Sequence, residues 1–172
     1  DMGLIGAWLA PLYFGIPLIL MSPLRFLMRP ERWLRAITEH RGTISAAPNF
    51  AYELCTTRIK DSELHGIDLS SLRILANGAE AVLPSTVRAF QARFGAYGLK
   101  PSAMRPVYGL AEDSVGLAFP IEERPPRIDR IVRDRFTRDG IAESAAAEDT
   151  QALEFPAVGR PRSEEHTSEL QS

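Results

Sequence analysis

Apolar residues in this chain fall in short runs whose period changes along its length. Leu72-Arg73-Ile74-Leu75-Ala76 is strand-like and stops at Asn77-Gly78, a dipeptide that marks a turn because both residues tolerate positive φ. Behind Pro84-Ser85, Val87, Phe90 and Phe94 recur at helical spacing, and Gly95 and Gly98 close the segment. A second strand-like run covers residues 103–108 and stops at Gly109. Strand, helix, strand in that order predicts a βαβ crossover, hence an α/β fold with a mainly parallel sheet flanked by helices.

Upstream, residues 2–24 carry no charge, which passes the ~18 to 20 apolar residues needed to span a bilayer. Pro11, Gly15, Pro17 and Pro23 cut that stretch into pieces. The pieces predict a buried helix over 3–9, a turn over 11–15 and a buried strand over 16–21, with no membrane span. Asp1 stands where a signal peptide would be positively charged, and no small-residue cleavage pattern follows. Next, Pro30 opens an amphipathic helix with Trp33, Leu34 and Ile37 on one face and Arg32, Arg35 and Glu39 away from it. Ile44-Ser45-Ala46-Ala47 reads as a strand entering a loop at Pro48-Asn49.

From Phe119 the pattern turns polar. Pro120, Pro125 and Pro126 flank a stretch holding six arginines between positions 124 and 138, but Glu122, Glu123, Asp129, Asp134 and Asp139 nearly offset them. The aromatic platform that single-stranded nucleic acid needs is missing, so a solvated, salt-bridged segment is expected. The whole chain agrees: 20 basic residues against 22 acidic give no field that would recruit nucleic acid or an anionic membrane. At 172 residues and 45% hydrophobic, it can bury one core. Cys55 is the single cysteine, which excludes an internal disulfide and fits a cytoplasmic location. His40, His65 and His166 lie far apart, no metal-ligand motif appears beyond Glu112, and no Gly-x-Ser-x-Gly elbow is present.

Candidate chemistry gathers at the strand ends. Ligands of open α/β sheets bind beyond the carboxyl ends of the strands, where both turn motifs would lie. Gly78 has no Cβ and lets a flat base approach the backbone, and Tyr108 offers a ring to stack on it. Glu112 supplies a hard oxygen suited to Mg²⁺.

Asn77-Gly78-Ala79-Glu80 followed by Tyr108-Gly109-Leu110-Ala111-Glu112 resembles the adenine-binding and Mg²⁺-binding motifs of the adenylate-forming superfamily, which includes acyl-CoA synthetases and fatty acyl-AMP ligases. Asp1-Met2-Gly3-Leu4 is similar to the end of the family's His-Asp-Met-Gly-Leu segment. Ser22-Pro23, Phe26-Leu27, Arg29-Pro30, Arg32-Trp33-Leu34 and Ala36-Ile37 resemble the helix that follows it. Pro48-Asn49-Phe50-Ala51-Tyr52-Glu53-Leu54-Cys55 most favours the fatty acyl-AMP ligase branch. Ala111 stands where many members carry a Thr that meets the AMP phosphate; the Leu-Ala-Glu version is common in that branch.

The resemblance implies the following expectations. The chain is part of the large N-terminal domain of a fatty acyl-AMP ligase, over residues 1–161, with 122–150 an insertion held to disfavour the CoA-using conformation. Gly78, Ala79 and Glu80 border adenine and Tyr108 stacks on it. Gly109 belongs to the same motif, Ala111 sits by the phosphate, and Glu112 binds Mg²⁺. Asn49, Phe50 and Tyr52 line an acyl tunnel. ATP and a fatty acid are the substrates, and an acyl carrier protein accepts the acyl group. A long-chain acyl-CoA synthetase, using CoA, is the nearest alternative; a non-catalytic interaction module of the same fold is another.

Residues 162–172 read codon for codon as a sequencing-library adapter and are set aside as non-native. The chain lacks a Gly-rich Ser/Thr phosphate loop, a Thr-Gly-Asp ribose motif and a catalytic-Lys domain. It is therefore expected to be an internal fragment, inactive by itself.

Overall fold

The computed structural model describes residues 2–113, 116–120 and 124–161. Asp1 and the adapter-like residues 162–172 lie outside them, as do residues 122 and 123 of the expected insertion.

A helical stretch opens the chain, π-helical over Met2–Leu9 and continuing as α1 (Ala10–Phe14). Pro11 falls where the π-helical segment gives way to α1, in the first turn of α1, a position at which a proline removes no bond of that α-helix. Gly15 ends it at φ 64°, in the left-handed region that glycine adopts without strain. Residues 16–22 then run without regular structure to α2 (Pro23–Met28). The expected buried strand over 16–21 is not formed, Leu20 being 72% accessible; the expected turn over 11–15 is helical to Phe14, and the expected buried helix over 3–9 is largely exposed, with Leu4 and Trp8 53% and 55% accessible. Pro17 withdraws a ladder donor, and no strand of the described residues lies beside the segment. No helix among the described residues is long and apolar enough to cross a membrane.

The amphipathic helix forms as expected, as α3 (Glu31–Glu39), with Leu34 and Ile37 buried. Trp33 Nε1 donates to Ser45 Oγ at 3.0 Å, tying α3 to β1 (Ile44–Ala47). Glu31, 2% exposed, is held by Arg29 Nε at 2.6 Å.

Two crossovers then build a parallel sheet. β1 leads through α4 (Asn49–Arg58) to β2 (Ile74–Asn77), and β2 through α5 (Pro84–Phe94) to β3 (Met104–Pro106). The strand order is β1-β2-β3 and both pairings are parallel, the arrangement the βαβ reading predicts. The expected loop at Pro48-Asn49 is instead a helix start. Pro48 is the extended N-cap of α4, where its missing N–H costs nothing.

Helices α4 and α5 pack against each other. Their contact is aromatic and is extended by a ring of α3: Trp33, Tyr52, Phe90 and Phe94 follow one another with ring centroids 5.6, 5.1 and 4.5 Å apart. Tyr52, Phe90 and Phe94 are fully buried. Truncating a ring such as Phe90 to Ala costs about 3–5 kcal/mol in settings of this kind. Arg93 of α5 donates to the carbonyls of Cys55, Thr56 and Ile59, satisfying the last turn of α4.

The polar third forms two small antiparallel pairs. β4 (Ala118–Phe119) pairs with β7 (Arg160–Pro161); β5 (Ile128–Ile131) pairs with β6 (Leu153–Pro156), with α6 (Arg133–Asp139) between. Its arginines are salt-bridged: Arg135 to Asp139 and Glu143, Arg127 to Asp129, and Arg138 to Asp134. Arg88 of α5 reaches Glu154 of β6 at 2.6 Å, joining this region to the parallel sheet's helical layer.

Candidate functional site

The register of the sheet decides where the motifs stand. Ala47 pairs with Asn77, and Asn77 with Pro106, so all three strands end level. Three segments therefore emerge side by side at the carboxyl edge: Pro48-Asn49-Phe50, Gly78-Ala79-Glu80 and Val107-Tyr108-Gly109. Sheet-like bonds carry on past the strands, from Gly78 N to Ala47 O (3.4 Å) and from Val107 N to Asn77 O (2.8 Å).

Gly78 is buried where these segments meet. A Cβ built on it would lie 2.8 Å from Val107 Cγ2 and 2.9 Å from Val107 O, so glycine is what lets the two motif segments touch. Ala79 follows at φ +66°, a left-handed conformation that costs a residue with a Cβ roughly 1–2 kcal/mol. Ala79 and Glu80 are exposed. The Glu80 carboxylate bends back to accept the Phe50 N–H at 2.7 Å, at the start of α4.

Beneath them lies a buried amide pair. Asn49, 4% exposed, accepts from Leu83 N (3.1 Å) and Asn77 Nδ2 (3.3 Å) through Oδ1, and donates through Nδ2 to Thr86 Oγ1 (3.3 Å). Asn77 Oδ1 is buried without a partner among the described residues. Tyr52 is sealed in the core with its hydroxyl donating to Ala76 O at 2.6 Å. Burial holds its phenol well above the ordinary range, reinforced by nearby Cys55 and opposed by a hydrogen bond with Ala47. Burial likewise pushes the Cys55 thiol up to about 12, against the pull of Arg93.

Tyr108 is 42% accessible, and its backbone is fixed by an antiparallel bridge to Ala118. Gly109 is half-buried, and Ala111 and Glu112 are exposed on a 3-10 turn, Ala111–Asp113. Glu112 makes no hydrogen bond or ion pair with any described residue. Among the described residues no group of three or more His, Cys, Asp or Glu could hold a metal. A lone free carboxylate suits an ion that takes its other ligands from substrate phosphates and water, which is how Mg²⁺ is commonly bound.

The structure thus brings Gly78, Ala79 and Glu80 beside Tyr108 and Gly109 at one sheet edge, and carries Ala111 and Glu112 on the turn that follows. It separates the trio expected to line a tunnel: Phe50 is exposed, Asn49 is engaged in amide bonds, and Tyr52 faces no accessible space. Thr86 joins the site's underside with no signal in the sequence, and Asn77, singled out there as a turn residue, acts instead through its buried side-chain amide.

Comparison with known proteins follows the same lines. A family model described as "AMP-binding enzyme" matches residues 1–136. The chain belongs to the AMP-binding enzyme family. This AMP-binding chain is 37% identical over 153 residues to a medium-chain-fatty-acid–[acyl-carrier-protein] ligase, TtuA, of Teredinibacter turnerae, covering 89% of this chain and 24% of that protein. It is 39% identical over 152 residues to a probable long-chain-fatty-acid–AMP ligase, FadD30, of Mycobacterium tuberculosis, covering 88% and 26%. Its fold superposes with a TM-score of 0.89, at 37% identity, on a fatty acyl-adenylate ligase from L. pneumophila solved with acyl adenylate and pyrophosphate, covering 94% of this chain and 28% of that one. The chain thus spans about a quarter of the length of the relatives it matches.

Proposed function

We propose that this chain is part of a fatty acyl-AMP ligase, in which a fatty carboxylate attacks the α-phosphate of ATP, expels pyrophosphate and leaves an acyl-adenylate. An acyl carrier protein thiol then takes the acyl group. The observation that carries this reading is the level ending of β2 and β3, which sets Gly78-Ala79-Glu80 beside Tyr108-Gly109 at the carboxyl edge of a parallel sheet. The kinship with fatty-acid ligases supplies the substrate class.

In this reading Gly78, Ala79 and Glu80 border the adenine, chiefly through backbone, since the Glu80 carboxylate is turned to Phe50. The exposed Tyr108 ring stacks on the base, Gly109 gives the chain room to turn, and Ala111 sits by the phosphate without a side-chain bond. Glu112 holds Mg²⁺, which supplies charge neutralisation at the phosphates. Phe50, 46% accessible, is the residue of its segment assigned to the acyl chain. Residues 1–161 belong to the N-terminal domain, 122–150 are an insertion within it, and the cytoplasm is the working compartment. Positioning and charge stabilisation carry such chemistry, so these residues matter by where they hold groups.

The full-length protein carrying this chain tests the reading. Incubated with ATP, Mg²⁺ and medium- or long-chain fatty acids, it is expected to form acyl-adenylate trapped by hydroxylamine and to pass the acyl group to holo-acyl carrier protein. Glu112→Gln is expected to lose about 10²-fold in rate. No adenylate with any fatty acid overturns the reading; rapid acyl-CoA formation moves it to the acyl-CoA synthetase branch. The 172 residues alone are expected to form none.

A further inference from the structure

We propose that Asn49 is a positioning residue for the base-binding segment 77–83, its side-chain amide clamping both ends of that segment to the start of α4. The inference rests on the reading of residues 78–80 as the adenine border.

The segment's first end is fixed by the sheet, through the pairing of Asn77 and the Gly78 N–Ala47 O bond, so the Asn49 side-chain amide matters most beyond Gly78. Between Asn77 and Pro84 no residue belongs to a helix or strand. Asn49 Oδ1 takes the Leu83 N–H at one end and Asn77 Nδ2 at the other, while Asn49 Nδ2 is anchored on Thr86 of α5. The backbone N–H of Leu83 can only donate, so it fixes which end of the Asn49 amide faces the segment, and with it the orientation of Asn77. At 4% exposure water cannot readily replace these bonds.

Between the clamped ends sits Ala79 at φ +66°. A strained residue keeps such a conformation only when its surroundings over-determine it. The Asn49 clamp supplies that constraint from below, and the Glu80-to-Phe50 bond supplies it from above. Both anchors belong to the first turn of α4, so the segment's shape is set by that helix. With both acceptor positions of Oδ1 taken, Nδ2 bonded to Thr86 and the side chain buried, the amide has little left to offer an acyl chain, and Asn49 therefore acts on the nucleotide side.

Asn49→Ala in the full-length protein tests this. ATP KM in ATP–pyrophosphate exchange is expected to rise about tenfold, with fatty-acid KM and chain-length preference unchanged. The Leu83 amide is expected to exchange with deuterium about tenfold faster, while the Phe90 amide in α5 keeps its protection. Asn49→Asp, which keeps the acceptor oxygen, is expected to recover most of both losses. An unchanged Leu83 exchange rate, or altered chain-length preference at unaltered ATP KM, overturns the proposal. Should Asn49→Ala fail to fold, Thr86→Val removes only the anchor, with the same readouts expected to move about threefold. If the wild-type protein forms no adenylate, the enzymatic reading fails alone, and amide exchange still decides the clamp.

Discussion

The carboxylate of Glu80 accepts the backbone N–H of Phe50 at 2.7 Å, so a residue of the adenine-like motif caps the helix that follows the neighbouring strand. The first N–H groups of a helix have no intrahelical partner, and a carboxylate there meets both the orphan donor and the positive end of the helix. The two partners stand 30 positions apart in the sequence; the level ends of β1 and β2 remove that separation.

Removing this cap has a predictable cost. Glu80→Ala is expected to lower stability by about 0.5–2 kcal/mol in urea unfolding, and Glu80→Gln, which keeps an acceptor oxygen, by clearly less. Equal losses for the two variants would show that charge, and not the hydrogen bond, is what matters.

Gly78 and Ala79 respond oppositely to size. Gly78→Ala drives a methyl into Val107 and is expected to destabilise by about 1–3 kcal/mol. Ala79→Gly relieves a left-handed backbone and is expected to be neutral or stabilising, while Ala79→Val is destabilising. Thermal unfolding of the three variants side by side checks the order.

Cys55 is expected to be inert in the native protein. It is fully buried, with its thiol pushed up to about 12, so thiolate-directed reagents should label it only after denaturant is added. The same shift fixes a sign. Its contribution is fully present below the ordinary thiol pKa of 9.0 and is lost as pH rises towards about 12. Stability should fall over that window, and less steeply in Cys55→Ala; an identical slope in the variant would contradict the assignment.

Asp68 governs the acid side. Hydrogen bonds from Ser70, and then Arg41 at 2.8 Å, hold its carboxyl below the usual value. Stability from this group is present above the unfolded carboxylate pKa and lost as pH falls through the lower folded one. Asp68→Asn should flatten the acid limb of a stability-against-pH curve, and because the pair is exposed, added salt should weaken the wild-type effect.

How far the chain can be read without its fold is clear from particular elements. The helix behind Pro84 and the strand at residues 44–47 were legible because apolar spacing and punctuation agreed there. α4 was not: its buried face includes Asn49 and Tyr52, polar residues that blur a helical pattern, and Pro48 imitates a turn. Residues 16–21 misled in the other direction, since an apolar run becomes a strand only when a partner strand stands beside it.

Local sequence by itself marked where the two motif segments leave the sheet, after Asn77 and after Pro106, although the left-handed residue of the first is Ala79 and not Asn77 or Gly78. It also determined the family, whose model matches residues 1–136. Only the tertiary structure decided what the motifs do to one another. Parallel register brings Ala47, Asn77 and Pro106 level, packs Gly78 on Val107, turns Glu80 onto Phe50 and makes Asn49 a clamp. The physical reason is that hydrogen bonds and close contacts between separate crossovers form only once strands distant in sequence have paired, and the pairing fixes which residues stand opposite one another.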